Sequence, residues 1–290
     1  MKPPRFKYCA PQILDDALVL LEQQGDEAKI LAGGQSLVPL LNMRLAAPTY
    51  LVDINHICEL NYIQPEDHYL AIGATTRQSQ IERSTLLQEK HPLLLEAIWH
   101  IGHMQIRNRG TVVGSIAHAD PAAELPALLT CLDGSVLLQS STGERLLTTD
   151  AFFHGYLETA LKPGEMIVEA RFPWPDPRAG WAFMEFARRA GDFALVGAAA
   201  VLTPGDDGKC LAARVAYAGV DGVPVRARAV EQVLRGRALD ERTLDEAAES
   251  ARALVNPTMS DVHATVEYRR VLTAELTRRV LRAAWTRRRI

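Results

Sequence analysis

The chain has 290 residues, 48% hydrophobic and 23% charged, with 19 glycines and 16 prolines, which is long for one core and comfortable for two domains of an ordinary α/β protein. A net charge of -3 offers no general electrostatic pull on nucleic acid or membrane, so neither is expected as a partner. Cys9, Cys58, Cys131 and Cys210 stand singly, with no CxxC pair, so the chain shows no pattern for a zinc or iron–sulfur site and no metal ligands are expected.

The opening MKPPRFKYCAPQ has no apolar signal core, and no stretch approaches the roughly 18 apolar residues of a membrane span. A cytoplasmic location is the expectation. PQILDDALVLLEQQGDEAKILAGG reads as helix, turn and strand. Leu14, Ala17, Leu18 and Leu21 share one helical face. Asp15 and Asp16 occupy the first turn, where the helix dipole favours negative charge, and Gly25 is placed to cap the end. AKILA reads as a short buried strand, 37–45 as a short helix with Pro39 in its first turn, and TYLVDI as a second strand.

A new unit is expected to begin near Glu59. HYLAIGA is a strand, TTRQSQIERS opens with Thr75 and Gln78 at capping-box spacing, and HPLLLEAIWHIG is a helix with Pro92 in its first turn. RNRGTVVGSIAHADPAAELPALLTCLDG reads as a loop followed by a helix over about 122–132. SVLLQSSTGERLLT is a hairpin turned at 141–143, and PGEMIVEARF a further strand. PWPDPRAG, residues 173–180, is the domain boundary, since prolines and a glycine dominate it. GWAFMEFARR, ALVGAAAVLT and LAARVAYAGV follow as strands, and helices run from about Val225. In the last segment Val271, Leu272, Leu276 and Val280 fall along one face and arginines cover the other. Such a helix reads as a solvated basic end or, alternatively, as a docking surface for a partner chain.

Two glycine-containing stretches carry the chemistry. In ILAGGQSLVPLL an apolar strand feeds a helix through Gly33, Gly34, Gln35 and Ser36. Glycine lets a ligand approach the backbone closely, and N–H groups at a helix start favour an anionic group such as phosphate. Ser36 adds a hydroxyl donor or simply caps the helix; an ordinary strand–helix turn is the alternative. RNRGTVVGSIAHADPAAE repeats the theme with Gly110, Thr111, Gly114 and Ser115, ahead of a helix whose first turn carries Pro121 and Glu124. Together the pair is suited to clamping both phosphates of a dinucleotide, with Glu124 accepting from ribose hydroxyls. The G-x-G-x-x-G and P-loop motifs are both absent.

AGGQSLVPLLNMRL and RGTVVGSIAHADPAAELPALL closely resemble the two FAD-binding loops of the flavoprotein, or medium, subunit of molybdenum hydroxylases, the carbon monoxide dehydrogenase and xanthine dehydrogenase family. ARRAGDFALVGAAA, residues 187–200, extends the likeness across essentially the whole chain. The resemblance implies an α+β protein: a two-lobed PCMH-type FAD-binding domain over 1–175, with lobes at about 1–58 and 59–175. A smaller C-terminal domain of the carbon monoxide dehydrogenase flavoprotein type would follow over 180–290, built on a three-stranded antiparallel sheet with helices. Carried over by motif, FAD would be contacted by Leu31, Ala32, Gly33, Gly34, Gln35, Ser36, Leu37 and Val38. Thr111, Val112, Val113, Gly114, Ser115 and Glu124 would form the second wall, with Ile101 and Ile167 touching the flavin.

The resemblance further implies an electron-transfer subunit rather than a site of substrate chemistry, so no catalytic acid or base is expected here. An iron–sulfur small subunit with [2Fe–2S] clusters and a large subunit with the molybdopterin cofactor would be the partners, in a dimer of heterotrimers. Electrons would pass from the clusters through FAD to an external acceptor. A flavin-free structural subunit and a free-standing flavin oxidoreductase are the alternatives. One departure stands out. The second loop of the family usually carries T-I-G-G-S, and Val113 replaces a glycine. Val113 is expected in an extended conformation, with only Gly114 essential. His100 and His103 stand three apart on an expected helix, yet lack a third ligand, and read as packing or surface residues. His118 lies in the second loop, Asp192 reads as a turn or cap residue, and Arg107 and Arg109 are either phosphate neighbours or ordinary surface cations.

Overall fold

The computed structural model describes residues 2–289. The first lobe is a small parallel sheet: β1 (Lys7–Cys9), α1 (Leu14–Gln24), β2 (Ala28–Leu31), α2 (Leu37–Met43) and β3 (Tyr50–Asp53). β3 inserts between the other two strands, parallel to both. α1 buries Ala17, Leu18 and Leu21, and Gly25 ends it with φ 50° and an amide bonded to Leu21 O. β2 departs from the buried strand expected. Only Ala28 is buried, because β2 is an edge strand with one neighbour. Its parallel pairing with β3 brings Leu31 opposite Asp53, so the carboxyl ends of both strands open on one side, the side on which open parallel sheets bind ligands.

The second lobe starts with β4 (Ile63–Pro65) and β5 (Tyr69–Gly73). Then come α3 (Gln78–Glu82), α4 (Thr85–Lys90), α5 (Pro92–His100), α6 (Met104–Arg107), α7 (Val112–His118) and α8 (Glu124–Cys131). A hairpin of β6 (Ser135–Ser140) and β7 (Gly143–Thr148) follows, then α9 (Thr149–Phe152), a ribbon of β8 (Phe153–Gly155) and β9 (Glu158–Thr159), and β10 (Met166–Pro173). β10 is the centre of the sheet β4-β5-β10-β6-β7, antiparallel to β5 and β6, and its residues 166–170 are all buried. α8 is buried on every side, as a helix with no polar face must be.

Two local expectations are displaced here. The loop expected around 110–118 contains the helix α7. The box expected from Thr75 and Gln78 is made two residues later, where the Arg77 amide donates to Gln80 Oε1 at 2.7 Å. Thr75 and Gln78 are buried, and the main chain of 76–78 is committed elsewhere. The Gln78 amide donates to Gly110 O and Thr76 O accepts from the Val112 amide.

The C-terminal part is an antiparallel meander of β11 (Gly180–Phe186), β12 (Val196–Pro204) and β13 (Cys210–Ala218), to which β14 (Val225–Arg226) adds a two-residue edge. Three helices follow: α10 (Arg228–Leu234), α11 (Glu241–Arg252) and α12 (Val266–Thr286). Alternation along the strands divides this sheet between two cores. Phe183, Ala199, Val201 and Ala216 join the core that contains α5 and α8. Ala198, Ala200, Leu202, Val215 and Tyr217 face the opposite way, toward α10, α11 and α12. On α12, Leu272, Leu276 and Val280 are buried as expected, whereas Val271 is 53% exposed, one residue off the stripe. The arginines of this helix are partly paired with α11: Arg278 with Asp245 at 2.6 Å and Arg282 with Glu241 at 2.7 Å.

His91, between α4 and α5, is fully buried against Phe172 and Trp174, and neither ring nitrogen has a hydrogen-bond partner. Burial pushes its pKa down to about 4. The unfolded chain therefore takes up this proton as pH falls below about 6.5, while the folded chain refuses it until about 4. Stability is expected to drop by about 3 kcal/mol across that window. His91→Leu, close in volume, is expected to flatten this acid limb in urea titrations at a series of pH values.

Candidate functional site

The first turn, residues 32–37, leaves β2 at the sheet's open end. Gly34 has φ 72°, a left-handed conformation that costs a residue with a Cβ about 1–2 kcal/mol. It lets the chain reverse so that the Val38 amide reaches Gly34 O at 3.0 Å. Gln35 folds back, its Nε2 donating to Gly33 O at 3.1 Å. Ser36 occupies the N-cap position but makes no side-chain cap bond. Among the described residues the amides of Gly34, Gln35 and Ser36 have no acceptor, so the turn presents free N–H groups at a helix start. Leu31, Ala32, Ser36 and Leu37 are half-buried and Val38 is exposed.

The two glycine stretches meet. A Cβ on Gly33 would lie 2.7 Å from Arg109 O, 2.8 Å from Gly110 Cα and 3.0 Å from Thr111 N. Only a bare Cα permits that approach of main chain to main chain. Polar side chains hold the contact. Asn55 Nδ2 donates to Ala32 O at 2.9 Å and to Asp53 Oδ1 at 2.5 Å. Arg77 donates to Asn55 Oδ1 and to Arg109 O, so by way of Asn55 one guanidinium links the first turn to the second stretch. Asp53 receives the Tyr8 hydroxyl at 2.6 Å and the Asn55 amide at 2.9 Å. Burial favours its neutral form, and these hydrogen bonds outweigh burial and hold its carboxyl below the usual range.

In the second stretch Thr111 caps α7 by accepting from the Gly114 amide at 3.0 Å. Val112 and Val113 are buried in the first turn of that helix, and Gly114 and Ser115 are half-buried. Val113 is therefore helical rather than extended. It lies outside the left-handed region, so the backbone there does not call for a glycine. Gly114 is the constrained position, since a Cβ there would lie 2.5 Å from Thr111 Oγ1. Gly114→Ala is expected to break this cap and lower stability by about 1 kcal/mol, measured by thermal unfolding.

Glu124 begins α8 and is buried. Burial, reinforced by the nearby Glu185 charge, pushes its carboxyl up to about 8. Ile101 is half-buried, with its carbonyl accepting from Arg107 Nη1 at 3.0 Å, and Ile167 is buried beside an irregularity in β10. Arg107 is committed to Glu82 at 2.9 Å, which leaves it a structural rather than a phosphate-binding residue. Arg109 is exposed and joins the site only through its carbonyl. His100 and His103 do not share a helix. α5 ends at His100 and α6 begins at Met104. His118, at the end of α7, is half-buried and its pKa is lowered by burial. The Asp192 amide closes a turn on Arg189 O at 3.1 Å.

Free amides at one helix start, a capped helix start beside it and a backbone contact no side chain can enter fit an extended anionic ligand of dinucleotide type. Sequence reasoning passed over Asp53, Asn55 and Arg77. The signal for the first two was present: two polar residues at the carboxyl end of a parallel pair, Asp53 the last of β3 and Asn55 two beyond it. Arg77 carries no such signal, because its partners lie 22 and 32 residues away.

Residues 4–175 match the model of the FAD binding domain in molybdopterin dehydrogenase, and residues 181–284 that of the CO dehydrogenase flavoprotein C-terminal domain. The 6-hydroxypseudooxynicotine dehydrogenase complex subunit alpha of Paenarthrobacter nicotinovorans is 42% identical over 289 residues, 100% of this chain and 97% of that one. A crystallised carbon monoxide dehydrogenase from Hydrogenophaga pseudoflava, which lacks the Mo-pyranopterin moiety of the molybdenum cofactor, superposes with a TM-score of 0.96 at 38% identity over 100% of both chains. Quinoline 2-oxidoreductase from Pseudomonas putida 86 gives a TM-score of 0.93 at 38% identity, covering 99% of each chain.

Proposed function

Because this chain belongs to the family of FAD-binding medium subunits of the carbon monoxide dehydrogenase and xanthine dehydrogenase type, we propose that it is the electron-transfer subunit of a heteromeric molybdenum hydroxylase. It would work beside an iron–sulfur small subunit and a molybdenum-binding large subunit, two such heterotrimers pairing in the cytoplasm. Electrons arriving from [2Fe–2S] clusters would leave through FAD to an external acceptor. Bound FAD supplies the redox chemistry.

The chain's own residues bind and orient the cofactor. The free amides of Gly34, Gln35 and Ser36 receive its pyrophosphate, with Leu31, Ala32, Gly33, Leu37 and Val38 completing that wall. Thr111, Val112, Val113, Gly114, Ser115 and Glu124 would form the second wall, and Ile101 and Ile167 would meet the flavin ring. The working division falls at 173–180, with FAD carried by 1–175. Among the described residues no helix is long and apolar enough to cross a membrane.

The single observation that carries this reading is the contact of Gly33 with the main chain of 109–111, which brings the two stretches together. The purified full chain is expected to be yellow and to release about one FAD per chain on denaturation. A colourless chain that takes up no FAD on reconstitution would sink the proposal and favour a flavin-free structural subunit, for which Val113 no longer gives a motive.

A further inference from the structure

β11 stops, β12 starts and β13 stops at one end of the C-terminal sheet, and a single buried side chain holds the connections that meet there. Arg269, at the start of α12, points inward with its side chain 5% exposed. Its Nη1 donates to Leu195 O, just ahead of β12, and at 3.1 Å to Gly219 O, just past β13. Its Nη2 donates to Asp261 Oδ2, between α11 and α12, at 2.7 Å. Asp261 is fixed in turn by the amides of His263 and Ala264, at 2.7 and 2.8 Å. Burying a guanidinium is costly, and only acceptors already in place offset the cost.

The segment that Arg269 holds reaches into the FAD binding domain. Gly219 has φ 75°, and a Cβ there would lie 2.4 Å from Leu195 O, so the two held segments are in contact. The Gly219 amide donates to Pro121 O at 2.8 Å. Pro121 lies in the turn ahead of Glu124, where the Ala122 and Ala123 amides close on Asp120 at 2.9 and 3.0 Å. A tight turn passes the position of Pro121 on to the start of α8. A second anchor holds the same segment: the Asn256 amide donates to Val220 O at 2.8 Å, and Asn256 Nδ2 to Asp221 Oδ1 at 2.7 Å. Loss of the guanidinium therefore loosens Gly219 without freeing the segment.

We propose that Arg269 is a positioning residue for FAD capture, which sets the place of Glu124 through Gly219 and Pro121. The inference rests on the reading of Glu124 as a cofactor contact. A charged donor makes the stronger hydrogen bonds, and the planar fork of arginine fixes the directions of all three acceptors at once. Lysine keeps the charge but presents it as a point on a flexible stem, so it does not span Leu195 O, Gly219 O and Asp261 together. The C-terminal domain thereby completes a site whose contacts belong to the domain before it.

The test is a double-mutant cycle on the flavin-stripped full chain, with the Kd for FAD read by flavin fluorescence. Arg269→Lys is expected to raise Kd about tenfold, and Glu124→Ala, which removes the acceptor, to raise it by about the same factor. Because the first acts through the second, the double variant is expected to show about the loss of one change rather than the product of both. Hydrogen exchange in Arg269→Lys is expected to quicken over 119–123 and 219–222 and to stay unchanged in the middle of β12 and β13. A merely structural role multiplies the two losses and quickens exchange across the whole C-terminal sheet, and either result overturns the assignment. An unchanged Kd in folded Arg269→Lys or Glu124→Ala chains overturns it too. Where Arg269→Lys fails to fold, the unaltered chain decides. Coupling is reciprocal, so saturating FAD is expected to slow exchange at 219–222, outside the proposed contacts. FAD binding without that slowing overturns the inference and leaves the FAD reading standing. Absence of FAD binding by the unaltered chain overturns that reading as well.

Discussion

Gly33→Val is expected to strip the chain of FAD while leaving both hydrophobic cores intact. The new Cβ would sit 2.7 Å from Arg109 O and 2.8 Å from Gly110 Cα. Both are main-chain atoms that cannot rotate aside, so the turns must part. Overpacking of this kind costs about 1–3 kcal/mol. The turn at 32–37 is partly solvent-facing, so it relieves the strain by moving outward, and the cost falls on the cleft rather than on the core. FAD affinity is expected to drop by about tenfold to a hundredfold. Flavin content after purification and a fluorescence Kd measure this, and circular dichroism checks the fold. Full flavin content would show that the turns need not touch. Gly34→Val acts differently. Its protein neighbours are the side chains of Leu31 and Val38, at 3.1 and 3.2 Å, which can give way, so within the chain the cost lies in the φ of 72°.

Gly180→Ala is expected to produce the largest loss of stability. Gly180 opens β11, and a Cβ there would lie 1.8 Å from Ala284 O and 2.6 Å from Arg288 N. No rotamer relieves this, so the end of α12 must lift away. Lifting it would break the Arg287–Glu96 pair at 2.8 Å and the bond from Arg287 Nη1 to Trp181 O at 3.1 Å. Overpacking at its upper limit and the lost contacts together are expected to cost about 3 kcal/mol or more. The midpoint of thermal unfolding should fall by roughly 6–12 °C. A variant with an unchanged midpoint would show that α12 does not bear on β11.

Much of the architecture is legible in the residue pattern because local rules and packing agree. The stripe Ala17, Leu18, Leu21 predicts α1, Pro92 marks the start of α5, and the hairpin at 141–143 follows from its flanking alternation. α7 was hidden because a glycine sits in its first turn and its start depends on the Thr111 hydroxyl. The half-exposure of β2 was hidden because a four-residue apolar run does not reveal whether it has one neighbour or two. In the candidate site the glycines were readable and their supports were not. Arg77 becomes meaningful only once 55 and 109 are brought beside it. Glu185 sits on an ordinary-looking strand, and the enclosure of its carboxylate is a product of domain packing.

The sheet of β11 to β14 has no free face. Its alanines along β12 alternate between two cores, and their small size lets helices press in from both sides. The consequence is architectural indivisibility. A fragment cut at Pro173 would leave the flanks of α5 and α8 stripped to bare hydrocarbon, and the excised remainder would carry the matching wound, so neither half is a portable module.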